Sequence, residues 1–351
     1  MEGALGETKR KAMAMQKCRG CGATLTAAND SEAHVIPNAL GGHLKPKGII
    51  CRICNTKLDA LADNALIEAF GDWPTLLDIP RDRGTNPSKL IETRNGRRVR
   101  LERDGSMTAV DVLYDVASAE GGHKVQIAAG DMKTFRQLLK RAEKQFPQFD
   151  PKVAEQYARK VGIQDDDLLK MGLDFSPEAV FGGVITAIWL YLIVTTGRAF
   201  MDWDRLIAVI KEMQTHGGTF RYMVDGLPGL NGPDIPLSHK IVVRSVPSTG
   251  KLIAYAEILG MLKVGGLFAD AGGPAVLVEH VYVYDVLGRI DRSSEFSMDA
   301  AEFERQDWKT IGVGPTDADK LKAHFRDAIE SVFVKRYRER FVARENTSPI
   351  T

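Results

Sequence analysis

Cysteine is scarce in this chain: there are four in 351 residues, paired as Cys18/Cys21 and Cys51/Cys54, with none left over. That usage does not suit a disulfide-stapled secreted scaffold, and if one metal takes all four, no thiol remains to act as a nucleophile. Neither sign of charge dominates, since 47 Lys and Arg stand against 46 Asp and Glu, so nothing global marks a polyanion binder. Aromatic residues make up only 7% of the chain, which weakens any case for reading bases by stacking. No apolar stretch follows Met1, so no secretory signal is expected and the cytoplasm is the expected location. The glycine-rich segments GGVIT and LGMLKVGGLFADAGG lack the Lys-Ser/Thr ending of a phosphate loop and the spacing of a dinucleotide fingerprint. There is no Gly-x-Ser-x-Gly elbow, no internal repeat and no sustained heptad.

Long apolar runs are also rare. The exception is AVFGGVITAIWLYLIVTTG, from Ala179 to Gly197, which is close to the minimum length for a membrane span. Gly182, Gly183, Thr186, Thr195 and Thr196 dilute it, Glu178 and Arg198 bracket it, and no basic flank follows, so a buried helix without a membrane partner is expected.

The two Cys-x-x-Cys pairs have the spacing of a tetrahedral thiolate site for structural Zn2+, with Cys18, Cys21, Cys51 and Cys54 as ligands. Such a small segment buries little surface by itself, whereas a structural zinc contributes on the order of 10–16 kcal/mol of apparent binding free energy. The metal is therefore expected to organise it. Between the pairs lies Ser31-Glu32-Ala33-His34-Val35-Ile36-Pro37-Asn38-Ala39-Leu40-Gly41-Gly42-His43. After Cys54, Leu58, Leu61, Ala62, Ala65, Leu66 and Ala69 recur at helical spacing, so a helix should leave the second pair and end near Gly71 and Pro74.

Composition predicts four regions: a basic tail at 1–16, a zinc module at 17–80, a basic β-meander at 81–128, and an α+β domain at 129–351. Asn-Gly and Asp-Gly turns punctuate the meander. The last region opens with the amphipathic helix DMKTFRQLLKRAEKQF and contains an antiparallel sheet between about Lys240 and Asp285. It closes with a helical stretch from about Asp317 to Arg344.

The segment CRGCGATLTAANDSEAHVIPNALGGHLKPKGIICRICNTKLD resembles the HNH endonucleases, the ββα-metal nucleases. The shared features are a first Cys pair, a His before x-x-Pro, a Gly-Gly loop, and a second Cys pair running into Asn-x-Lys. The resemblance spans about residues 17–70. It implies an α+β protein with an N-terminal zinc-braced ββα-metal module, and hydrolysis of DNA phosphodiester bonds, in a setting such as defence or restriction. RNA is not excluded as a substrate.

It further implies that His34 is the general base, a role that suits an imidazole of ordinary pKa about 6.5. Asn55 matches the helix-borne ligand of a catalytic Mg2+ or Mn2+, with Ni2+ also compatible with imidazole. Asn55 would also serve as a helix N-cap.

The chain departs from the pattern at two places. Ala33 stands where many members carry an acid or a second His, which leaves Glu32 and His43 as the nearest substitute ligands. The middle Asn is replaced by Lys45-Pro46-Lys47-Gly48. Strand alternation puts Glu32 and His34 on one face with Ala33 turned away.

Lys45 and Lys47 are candidates for phosphate contacts, as are Arg94, Arg97, Arg98 and Arg100 of a basic run that also includes Arg81, Arg83, Lys89 and Arg103. The competing reading of that run is a solvated, edge-protecting face. His123, His216, His239, His280 and His324 are isolated and are given no role. Homo-oligomerisation and a regulatory ligand or protein partner are the roles left to the C-terminal region. The alternative to a nuclease is a zinc-stabilised nucleic-acid-binding protein with a decayed centre.

Overall fold

The computed structural model describes residues 16–331, apart from 83, 95, 104–106, 120–121, 160–169, 217–219, 315–316 and 318. The basic tail up to residue 15 and the final helical stretch beyond 331 lie outside the described residues. Of that last stretch, residues 319–331 are helical. The chain forms two compact units, one of residues 1–71, 79–84 and 173–351, the other of 72–78 and 85–172. Helices and antiparallel sheets occur in both, an α+β composition.

The smaller unit carries the basic strands. Lys89–Glu92, Arg98–Leu101 and Met107–Ala109 pair antiparallel in chain order. Alternation buries Ile91, Val99 and Leu101 while Arg98 and Arg100 face solvent. A separate hairpin, Leu113–Ala119 with Gly122–Ala128, follows. The amphipathic helix Met132–Gln145 then begins at Asp131, whose carboxylate accepts from the Thr134 N–H at 2.8 Å.

In the larger unit, a six-stranded antiparallel sheet has the spatial order Ile290–Asp291, Glu279–Asp285, Ser238–Val246, Lys251–Ile258, Leu262–Ala269, Phe220–Tyr222. Its central strands are near-continuous apolar runs because both faces are covered. Val242, Ile253, Tyr255 and Leu267 join Met223, Leu227, Phe303 and Trp308 in a core on one face. Ile241, Val243, Ala254 and Ala256 alternate onto the other face and are fully buried.

The apolar run forms the helix Pro177–Thr196, which packs on the central strands, on Asn64–Ala69 and on Trp203–His216. Every residue from Val180 to Ile193 is buried, the pattern of a core helix. By length and composition alone it would also pass as a membrane span. Gly183 has a packing reason: a Cβ there would lie 2.6 Å from Leu66 Cδ2, so only glycine lets the two helices approach this closely.

The N-terminal segment belongs to this same unit and is built mostly of loop. The resemblance implies a β-hairpin before the helix, but the described residues show only isolated bridges, Lys17 to Thr24 and Asp30 to Cys51. Pro37, Gly41, Gly42, Pro46 and Gly48 interrupt the ladder, leaving the Val35 N–H bond to Leu44 O at 2.9 Å. The expected helix is present with a change of pitch: Arg52–Leu58 runs through a π-helical turn, Asp59–Asp63, into Asn64–Ala69.

The compact units do not follow the boundaries expected at 80/81 and 128/129. Residues 79–84 return to the N-terminal segment, and that segment packs on the C-terminal sheet and helices.

Candidate functional site

The four cysteines meet. Their sulfurs all lie within 4.8 Å of one another, and Cys21 Sγ stands 3.7 Å from Cys51 Sγ. Four sulfurs bonded at ~2.3 Å to a tetrahedral zinc stand about 3.8 Å apart, so the cluster has the dimensions of a zinc site.

Two details of the first knuckle explain its sequence. A Cβ at Gly20 would lie 2.6 Å from Cys54 Sγ, and Gly22 adopts φ +73°, so Cys-Arg-Gly-Cys-Gly requires both glycines. Backbone N–H groups of Gly20 and Cys51 donate to Cys18 Sγ at 3.3 and 3.2 Å. Burial pushes the Cys51 and Cys54 thiols up. It acts on Cys18 as well, but the N–H groups of Cys51, Cys21 and Gly20 outweigh it and hold that thiol at about 7. One sulfur is thus already favoured as the thiolate that a metal needs.

The loop between the pairs is folded by its own side chains. The Asp30 carboxylate accepts from the Gly48 N–H at 3.0 and 3.1 Å, closing the segment in which the middle Asn of the pattern is missing. Gly41, at φ +87°, and Gly42 make the return possible; a Cβ on Gly42 would lie 1.8 Å from Ile36 O. Ala33 and Val35 are buried while Glu32 and His34 are partly exposed, the alternation that the sequence predicts.

His34 is half-buried beside Asp82, with 3.5 Å between Nε2 and Oδ2. Its Nε2 atom is buried and makes no hydrogen bond among the described residues. Burial lowers the pKa of His34 below 6.5, against the nearby Asp82 carboxylate, so the ring is neutral at pH 7.

Asp82 is the hub of the site. Lys45 Nζ lies 2.6 Å from Oδ2, His43 Nδ1 3.3 Å and Arg289 Nη2 3.6 Å from Oδ1, and its side chain is only 9% exposed. Its backbone N–H donates to Asn38 Oδ1 at 2.9 Å, which ties residues 79–84 to the Pro37-Asn38 turn. Lys45 above all, with the two histidines, holds the carboxyl down at about 2 against burial.

The remaining expected residues are placed as follows. Glu32 pairs with Lys47 at 3.0 Å. His43 turns to Asp82 and stacks on Tyr284, with ring centroids 5.4 Å apart and planes at 4°. Asn55 lies within the helix Arg52–Leu58, where Cys51 is the N-cap, and donates to Asp59 Oδ2 at 3.4 Å. Among the described residues, the four cysteines are the only group of three or more His, Cys, Asp or Glu side chains close enough to hold a metal. His34, Glu32 and His43 therefore do not form a ready ligand set. Arg94 is exposed in a turn, Arg97 is half-buried, Arg98 pairs with Asp111 at 3.1 Å, and Arg100 is exposed; all four belong to the smaller unit.

Sequence reasoning passed over two acids on the helix. Asp59 and Asp63 follow Asn55 at intervals of four and share a hydrogen bond. Burial, reinforced by Asp59, pushes Asp63 up to about 7; burial also raises Asp59, against the hydrogen bond from Asp63 and the nearby His34. Their spacing of four from Asn55 is a legible signal, overlaid by the apolar positions of the same helix. Asp82 offered none, being one acid inside the basic run Arg81-Asp82-Arg83.

Residues 18–71 match the HNH endonuclease family. No curated protein and no solved structure gave a match to the chain. The HNH segment is roughly a sixth of the length and begins at the first zinc cysteine. It contains the cysteine cluster, His34, His43, Lys45, Asn55, Asp59 and Asp63. Asp82 and Tyr284 lie outside the HNH segment yet adjoin its histidines, and Arg289, also outside it, adjoins Asp82. The family suggests nuclease activity on a nucleic-acid substrate.

Proposed function

We propose that this chain is a metal-dependent HNH endonuclease hydrolysing DNA phosphodiester bonds in the cytoplasm, with His34 as the general base. The observation that carries the reading is His34 itself: a half-buried imidazole inside the HNH match, 3.5 Å from the Asp82 carboxylate. With Nε2 turned to Asp82, Nδ1 is the nitrogen left to take a proton from the attacking water. Asp82 would fix the ring and stabilise the imidazolium that forms.

Asn55 and Asp59 offer oxygen donors on one helix face, a donor set that suits Mg2+ or Mn2+, and with His34 near it Ni2+ as well. A cation held there supplies stabilisation of the charge that develops on the phosphate and the leaving oxygen. Asp59 replaces Glu32 and His43 in this proposal because each of those is engaged elsewhere. The cysteine cluster holds Zn2+ and braces the loop.

Plasmid DNA incubated with Mg2+, Mn2+ or Ni2+ should be cut. His34→Ala should abolish cutting while zinc content and melting temperature stay at wild-type values. A His34→Ala protein that cuts at the wild-type rate removes His34 from the mechanism.

One observation favours a second reading, a zinc-stabilised DNA-binding protein whose centre has decayed: Ala33 is fully buried where the family places a ligand. Binding without turnover under all three metals selects that reading.

A further inference from the structure

The cations around Asp82 outnumber it. Lys45 and Arg289 bring two full positive charges to one carboxylate. Lys45 comes from the HNH segment. Arg289 comes from the C-terminal sheet, in the turn between Glu279–Asp285 and Ile290–Asp291.

That turn is built to hold one conformation. Arg289 adopts φ +55°, a left-handed backbone that a non-glycine residue occupies only when its surroundings impose it. The Gly288 N–H donates to Asp285 Oδ1 at 2.9 Å, and the Val286 N–H to Leu237 O at 3.0 Å. The guanidinium hydrogen-bonds Tyr284, whose ring stacks on His43, and His43 in turn meets Asp82. Arg289, Tyr284, His43 and Asp82 thus close a ring of contacts.

The arginine is not used up by this ring. Its side chain is 50% exposed, and its nearest approach to Asp82, 3.6 Å, is too long for a good hydrogen bond. A guanidinium has five N–H donors in a planar fork that matches two oxygens of a phosphate. Lys45 Nζ, on a side chain 33% exposed, adds a second donor on the same carboxylate as His34.

We infer that Arg289 and Lys45 form a phosphate seat that docks the DNA backbone beside His34, so that the C-terminal sheet completes the site begun by the HNH segment. Asp82 is the counter-ion that keeps both cations in place before DNA arrives. The inference rests on the nuclease reading for its substrate, but it makes a claim about binding that stands apart from turnover.

The test is equilibrium binding of the full-length, zinc-loaded protein to a fluorescent duplex oligonucleotide across a salt series, without added Mg2+, Mn2+ or Ni2+. Arg289→Ala and Lys45→Ala should each weaken binding about tenfold and lower the slope of log K against log salt by about one. Arg289→Lys should keep the slope and lose part of the affinity, because it retains the charge without the fork. Lys309→Ala is the control: Lys309 pairs with Asp270 at the opposite end of the sheet and should leave both quantities unchanged.

Arg289→Gln, which keeps the stem, is measured alongside in case Arg289→Ala loses its fold. Wild-type affinity and slope in Arg289→Gln or Arg289→Ala overturn the proposal, as does an absence of DNA binding by the wild type. If DNA is bound with these slopes but never cut, the phosphate seat stands and the nuclease reading alone fails.

Discussion

His239 and Leu40, 199 positions apart, are joined by a buried hydrogen bond of 3.0 Å from the imidazole Nε2 to the carbonyl oxygen. Nδ1 of the same ring accepts from the Leu259 N–H at 3.3 Å, which leaves Nε2 as the donor. This contact bolts the Gly41-Gly42 loop, and with it the His34 site, to the C-terminal sheet. Burial pushes the pKa of His239 down to about 4, against the Leu40 bond, so the ring stays neutral throughout the physiological range.

A pH dependence of stability follows from that ring. The folded pKa is about 4 and the ordinary value is 6.5, so between them the unfolded chain binds the proton more readily. Stability from this group is fully present above about pH 6.5 and is lost as pH falls towards 4, a difference of about 3 kcal/mol. Urea unfolding at pH 7 and pH 4.5 should show the wild type losing more stability than His239→Phe, which cannot titrate. Equal losses in the two proteins would falsify the assignment.

Removing zinc should unfold the N-terminal segment. Cys54→Ser, or treatment with a strong chelator, should abolish stoichiometric zinc and any nuclease activity together. Protease sensitivity should rise first between Lys17 and Ala69, the segment that the thiolates close. A chelated protein with an unchanged digestion pattern would show that the core packing alone holds the loop.

Gly42→Ala should be among the most damaging single-methyl changes in the chain. The added carbon would lie 1.8 Å from the Ile36 carbonyl oxygen, and backbone cannot swing away as a side-chain tip can. A cost of about 3 kcal/mol, at the upper end of overpacking, is expected in thermal or urea denaturation. Gly183→Ala meets only the Leu66 side chain and should cost about 1–2 kcal/mol.

If His34 is the base, Asp82→Asn should keep the fold but lower turnover by at least about tenfold, because a neutral amide no longer stabilises the imidazolium. Single-turnover cleavage with zinc content and melting temperature measured in parallel checks this. Undiminished cleavage would mean that His34 needs no carboxylate partner.

Much of the local chemistry was legible in the chain. Two Cys-x-x-Cys pairs can satisfy a tetrahedral metal only by closing on each other, and His34 stands in a recognisable pattern because spacing along one short loop fixes what that loop can do. The apolar run from Ala179 was readable as a core helix because its glycines and threonines dilute its hydrophobicity and Glu178 and Arg198 bracket it closely. The ligand choice was less legible. Glu32 and His43 are near His34 in sequence, but Lys47 and Asp82 compete for them in space.

By itself, the sequence determined the thiolate cluster, the helix that leaves it, the alternation around His34 and the α+β composition, all consequences of residue type at short separation. Only the tertiary structure decided which groups face His34. Asp82 reaches it through a return of the chain at residues 79–84, and Arg289 reaches Asp82 from a strained turn of a sheet more than two hundred residues later. Ion pairs and stacking between such distant positions carry no periodicity along the chain. They exist because burying the sheet and the central helix brings those surfaces together, which is why His34 could be singled out in the sequence and its neighbours only in the fold.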